Sequence, residues 1–310
     1  MSLPKHRIEG IVTPVVTPLL PNGHLDYAAV EHHQDFLLQR GIAAIFVLGT
    51  TGEGPALPPA IRQEMIRASR EATRSRAPLL VGISSASVEE TLELARFAAA
   101  AGADGVVAAP PCYLPLETEE LLSFYRILAT EQPLPLYLYN MPAMTKVTLP
   151  PELVLRIAEL PNVAGYKDSA GDFDAFRKVA AVLRERQDFS LFMGPDALLG
   201  RAVSVGACGG VNSGSNVAPE FFTGMLDAAQ RQDQAAIDHW QKEIEGLQKI
   251  YQFRKNICCG VAAGLKYALC GLGLCGKELT RPALPMEPNE TIDAFLKHYT
   301  QSYFNRTTNC

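Results

Sequence analysis

The sequence predicts a closed α/β barrel of the (β/α)8 kind with a helical extension behind it, on three observations. Strand-like and helix-like segments alternate eight times between residues 10 and 229. Each strand-like segment is short, apolar and non-alternating, the pattern of strands buried on both faces of a parallel sheet. No Gly-x-Gly-x-x-Gly follows the first strand, which argues against a dinucleotide-binding open sheet. Eight such units in roughly 230 residues fit a TIM barrel better than a doubly wound sheet.

The elements follow in order. Gly10 to Val16 reads as the first strand, and Pro21-Asn22-Gly23 turns the chain. Asp26 caps a helix that carries Val30, Phe36, Leu37 and Leu38. Ala43 to Leu48 is the second strand, and Pro58 to Thr73 its helix. Leu79 to Ile83 follows, with a helix from Ser87 and Glu90 in the capping-box position. Gly105 to Ala109 is a strand, Glu117 to Thr130 a helix and Leu136 to Tyr139 a strand. Pro150 to Glu159 forms a helix with proline in its first turn. The sixth strand ends at Lys167, with a helix from Phe173 to Arg184. Ser190 to Met193 precedes a helix from Asp196 to Val205, and Cys208 to Val211 precedes one that starts near Ala218-Pro219. Residues 1–229 are expected to form the barrel that carries the active site. Residues 230–310 are expected to be a helical extension of the same domain, since no composition break separates them.

At 47 % hydrophobic and 20 % charged residues, the chain can bury a large core. A net charge of −5 without a basic run argues against nucleic acid or an anionic membrane as partner. Seven scattered cysteines without a C-x-x-C pair, and an N-terminus lacking an apolar signal core, fit a reduced, cytoplasmic setting. The six histidines show no metal-ligand or Ser-His-Asp spacing, so neither a metal nor a cofactor is expected.

Chemistry concentrates at Val163-Ala164-Gly165-Tyr166-Lys167-Asp168-Ser169. A lysine at a strand end either snorkels into solvent or is used. At the ordinary lysine pKa of ~10.4 its neutral form is present at pH 7 about once in 2500 molecules, a handicap of roughly 4.6 kcal/mol for attack on a ketone. Desolvation reduces that handicap. Barrel catalysis sits at the C-terminal strand ends, where Lys167 falls. Period-two alternation places Val163, Gly165 and Lys167 on one side and Ala164, Tyr166 and Asp168 on the other, so Asp168 is not the ion partner of Lys167. Gly165, one layer down, is expected to leave room for a substrate or for the lysine stem. Tyr139 ends the neighbouring strand and can move a proton beside the amine, whereas Tyr137 reads as packing. Gly49-Thr50-Thr51-Gly52-Glu53 follows the second strand, and its hydroxyls and amides suit a carboxylate, although the same residues also make a plain turn.

Together these residues resemble the dihydrodipicolinate synthase / N-acetylneuraminate lyase family of pyruvate-dependent class I aldolases. The resemblance rests on Gly49-Thr50-Thr51-Gly52-Glu53, Tyr139-Asn140-x-Pro142-x-x-Thr145, Gly165-x-Lys167-Asp168-Ser169 and Gly206-Ala207-Cys208-Gly209-Gly210-Val211. It implies that Lys167 forms a Schiff base with pyruvate or another 2-oxo acid and that Tyr139 shuttles the proton. It also implies that Thr50 joins the relay, that Gly49 and Thr51 help hold the carboxylate, and that the backbone near Val211 lines the site. A homotetramer is implied as well. Three departures bear on the substrate. Met144 stands where the family's synthases carry a carboxylate-binding arginine, and Lys146 replaces a glycine. Gly194-Pro195-Asp196-Ala197 lacks the Asp-Glu pair of sialic acid lyases, leaving Asp196 and Ser213 for substrate hydroxyls. Pro110-Pro111-Cys112-Tyr113 puts Cys112 or Tyr113 at the place of a tyrosine borrowed across a subunit interface. The leading expectation is a lyase for a 2-oxo-3-deoxy sugar acid or related 4-hydroxy-2-oxo acid. N-acetylneuraminate lyase, a dihydrodipicolinate synthase or 2-oxo acid dehydratase, and a catalytically idle barrel are the alternatives.

Overall fold

A computed structural model describes residues 7–251 and 257–304. Eight parallel strands close in sequence order, the barrel expected: β1 (Gly10–Pro14), β2 (Ala44–Val47), β3 (Leu79–Gly82), β4 (Gly105–Ala108), β5 (Leu136–Asn140), β6 (Val163–Asp168), β7 (Ser190–Met193) and β8 (Gly209–Val211). The outer helices are α1 (Tyr27–Leu38), α2 (Pro59–Thr73), α3 (Val88–Ala100), α4 (Thr118–Glu131), α5 (Pro142–Thr145), α6 (Pro151–Ala158), α7 (Phe173–Leu183), α8 (Leu199–Ser204) and α9 (Pro219–Gln230). Beyond the barrel lie α10 (Gln234–Gln248), α11 (Ile257–Gly271) and α12 (Glu290–Ser302). The one-turn α5 was not anticipated; its proline start reads as part of a loop. Among the described residues, no helix is long and apolar enough to cross a membrane.

Two apolar cores result. Phe46, Leu80, Val107, Tyr137 and Phe192 fill the barrel, and a larger core separates strands from helices. The caps form as the residue types dictate, with Asp26 accepting from the Ala29 N–H and Ser87 from the Glu90 N–H. The Glu90 carboxylate takes the Ser85 hydroxyl at 2.6 Å instead of completing a box with Ser87.

The barrel closes between β1 and β8 on two glycines. A Cβ on Gly209 would stand 1.8 Å from the Gly10 carbonyl oxygen, and Gly10 has φ +108°, in the region that favours glycine. Opposite this seam, β5 and β6 slip in register between Leu136 and Tyr137, so that Tyr137 faces Gly165. The slip corrects the simple alternation expected for β6. Val163 packs in the outer core and Ala164 in the inner one, because the extra residue turns both to the other side. From Gly165 onward the expected phase is restored. Gly165 opens no space for a ligand, since a Cβ there would meet the Tyr137 ring at 2.5 Å.

Candidate active site

Lys167 lies one residue from the end of β6 and is 6 % exposed. Its Nζ stands 4.0 Å from the centroid of the Tyr139 ring and 5.2 Å from that of Phe46. Register puts Tyr139 directly beside it on β5. Asp168 points to the outer face, where Asn140 Nδ2 donates to it at 3.0 Å, the Ala170 N–H at 2.9 Å and the Tyr166 hydroxyl as well. Burial pushes both the Asp168 carboxyl and the Tyr166 phenol up. Among the described residues, Lys167 therefore has no carboxylate partner.

The Tyr139 hydroxyl lies 3.2 Å from Thr50 Oγ1, which joins the β5 end to the turn after β2. That turn owes its shape to a kink at Leu48, φ +60°. The Leu48 carbonyl is driven into a notch between Gly54 and Gly82, where a Cβ would come within 2.0 Å and 2.4 Å of it. The Glu53 N–H donates to Thr50 O at 3.1 Å, Gly54 N–H to Gly49 O at 3.2 Å, and Thr17 Oγ1 to Gly52 O at 2.7 Å. These bonds leave the Thr50 hydroxyl free for Tyr139.

Thr51 turns the other way and meets Ser213 Oγ at 2.7 Å. Ser213 opens a 3-10 turn (Ser213–Asn216) after β8 that Asn216 ties to β1 through Pro14 O at 3.0 Å and the Val16 N–H at 3.1 Å. Beneath it lies Asp196, whose Oδ2 accepts from Gly214 N–H at 3.2 Å and from the Tyr251 hydroxyl at 3.1 Å. The structure thus brings Lys167, Tyr139 and Thr50 together. Thr51 of the same turn reaches Ser213, Asp196 holds the neighbouring Gly214, Gly49 makes neither contact, and the buried Val211 ends β8 between β1 and β7. Two supports escaped the sequence reading: the Phe46 ring beside the lysine and Tyr251 beneath Asp196. Phe46 shares the inward parity of the β2 end, a signal that was present. Tyr251 is 55 positions from its partner and gave none.

Burial pushes the Asp196 carboxyl up to about 6 from 3.8. The folded state therefore holds this proton more tightly than the unfolded chain does. Its stabilising contribution is complete below pH ~4 and is lost as pH rises through 6, by about 3 kcal/mol. Asp196→Asn should remove that dependence. Urea titrations are expected to show the variant gaining on the parent by about that amount between pH 4 and 7, and a constant difference would contradict the assignment.

A cavity of about 800 Å³ is lined by Phe46, Gly49, Thr50 and Tyr139 from the barrel and by Ala262 and Arg281 from the extension; Lys167 lies behind the Tyr139 and Phe46 rings, and Thr51, Asp196, Val211 and Ser213 do not line it. Met144 also lines it, 39 % exposed. The sequence pattern of the Dihydrodipicolinate synthetase family matches residues 7–298 of this chain. The chain belongs to that family. It is thereby an enzyme of the class I aldolase and lyase kind. It is 33 % identical to a probable 2-dehydro-3-deoxy-D-pentonate aldolase of Escherichia coli K12, over 86 % of this chain and 88 % of the relative. Among solved structures it resembles the dihydrodipicolinate synthase of Bacteroides thetaiotaomicron, with TM-score 0.89, 37 % identity and coverage of 97 % and 100 %. It also resembles a prophage protein of the dihydrodipicolinic acid synthase family from E. coli K12 solved in complex with pyruvate, with TM-score 0.85, 28 % identity and coverage of 97 % and 99 %.

The departures from the dihydrodipicolinate synthetase pattern now have positions. Lys146 caps α5 at φ +61° and donates its Nζ to Ala143 O at 2.8 Å, which accounts for a glycine being at home there. Cys112 lines the cavity, whereas Tyr113 has φ +83° and is 92 % exposed.

Proposed function

We propose that this enzyme cleaves a 2-oxo-3-deoxy sugar acid, or a related 4-hydroxy-2-oxo acid, to pyruvate and an aldehyde through a Schiff base on Lys167. The observation that carries the reading is a buried amine with no carboxylate partner among the described residues, flanked by a phenol that is itself bonded to a threonine hydroxyl. The neutral amine adds to C2 of the oxo acid, and loss of water leaves an iminium carbon next to C3. The C3–C4 bond breaks with its electron pair flowing toward the iminium nitrogen, while the 4-hydroxyl proton passes to Tyr139 and Thr50. The aldehyde departs, the enamine takes a proton at C3, and water returns pyruvate and the free amine. The Gly49-Thr50-Thr51 amides and hydroxyls hold the carboxylate, and the Val211 backbone borders it. No cofactor is needed, because the protonated imine is the electron sink.

The pentonate aldolase relative supports this substrate class. Met144, at the cavity wall, offers a thioether where a synthase needs a cation, which weighs against lysine biosynthesis. Asp196 spends its carboxylate on Gly214 and Tyr251, so it holds the Ser213 turn in this reading, and the acidic pair of a sialic acid lyase is absent. A homotetramer fits the exposed Tyr113, which a second copy would cover.

Incubation with a panel of 2-oxo-3-deoxy sugar acids, read by pyruvate release and product mass, tests the proposal. Pyruvate and the matching aldehyde are expected. A product lighter by one water would make the enzyme a dehydratase or synthase, and no turnover of any 2-oxo acid would overturn the assignment.

A further inference from the structure

Among the described residues Lys266 is the second lysine removed from water, at 0 % exposure, and the proposed cleavage does not use it. It projects from the apolar α11, which packs so closely on residues 249–251 that a Cβ at Gly264 would stand 2.0 Å from Ile250 O. Its Nζ donates to Glu53 Oε1 at 2.6 Å and to Glu278 O at 2.6 Å, and Glu53 Oε2 accepts the Thr280 N–H at 2.8 Å. Glu53 is the last residue of the Gly49-Thr50-Thr51-Gly52-Glu53 turn, holds φ +57° and lines the cavity. Both oxygens of one turn carboxylate are thus anchored in the extension, 213 and 227 positions away.

Stability alone is a poor reason for such a pair. Desolvating two charges offsets most of their attraction, and well-packed apolar replacements are often as stable. A left-handed backbone at a residue other than glycine adds a further cost. Two consequences for the reaction remain. The pair fixes the end of the turn whose other residues hold Tyr139 and Ser213. It also neutralises a carboxylate in the wall of a cavity that must accept an anion.

We propose that the Glu53–Lys266 pair is a positioning device through which the C-terminal extension sets the affinity of the threonine turn for the 2-oxo acid carboxylate. This rests on the Schiff-base reading above. The test is the pyruvate concentration that half-saturates borohydride trapping, measured with melting temperature for the parent, Glu53→Gln, Lys266→Met and the double variant. Lys266→Met leaves Glu53 uncompensated and is expected to show the largest rise in half-saturating pyruvate, above tenfold. The double variant should melt within a few degrees of the parent yet still need at least tenfold more pyruvate. Recovery of the double variant to within twofold would show a pair that only stabilises and would overturn the inference. Should these variants not fold, Glu53→Asp keeps the charge and shortens its reach by one methylene. A raised half-saturation at near-parental melting temperature supports the role, and an unchanged one overturns it. Absence of a trapped adduct on Lys167 in the parent would instead sink the Schiff-base reading.

Discussion

Lys167→Ala is expected to give a folded barrel that releases no pyruvate and gains no mass when pyruvate and borohydride are added together. The amine nitrogen is the only protein atom of the scheme that bonds to the substrate, and among the described residues no other free amine stands beside it. Lys266 is sealed from solvent and bonded to Glu53 and Glu278, and Lys146 is spent on capping α5. Loss of a covalent nucleophile should therefore cost at least roughly four orders of magnitude in kcat. The fold should tolerate the change. The truncation removes a buried polar head along with its apolar stem, and Phe46 and Tyr139 can relax toward the gap. Intact-protein mass after reduction, with far-ultraviolet dichroism as a control for folding, decides it. An adduct that persists in the variant, or one on Lys266 in the parent, would end the mechanism.

Tyr139→Phe is the more discriminating change. It keeps the ring against the lysine and deletes only the hydroxyl that meets Thr50 at 3.2 Å. Proton transfer by a positioned group contributes about 10² to 10⁴ in rate, so kcat should fall within that range. In the proposed scheme the Gly49 and Thr51 groups still hold the carboxylate when the Tyr139 hydroxyl is gone, so the KM for the oxo acid should move by less than about threefold. Trapping with pyruvate should persist, slower but complete. A variant that keeps kcat and loses affinity would make Tyr139 a binding residue and leave the proton without a carrier.

Those two residues were legible because their type and their place at a strand end are enough to raise the question of use. The parallel barrel was legible for a similar reason: strands buried on both faces leave an apolar signature that does not alternate. Contacts between distant segments were not readable in the same way. The inward turn of Ala164 depends on how β5 pairs with β6, which no local pattern encodes. The Leu48 kink needs Gly54 and Gly82 together, two glycines in separate segments, the second inside the stretch read as the third strand. Lys266 did offer a clue, a single cation inside the apolar run of α11, but its partner lies 213 positions earlier. The shape of the site depends on such distant pairs, and its chemistry on residues that announce themselves.

The seam between Gly10 and Gly209 bears on when the enzyme comes to life. During synthesis, β8 leaves the ribosome long after Lys167 does, and α11 later still. Until then the first strand has no neighbour on one side, and Lys167 lies in an open sheet that water reaches. A nascent chain therefore lacks the closed barrel that buries this side chain in the finished protein. Burial of the amine waits for residues 209–211, roughly two thirds of the way along the chain.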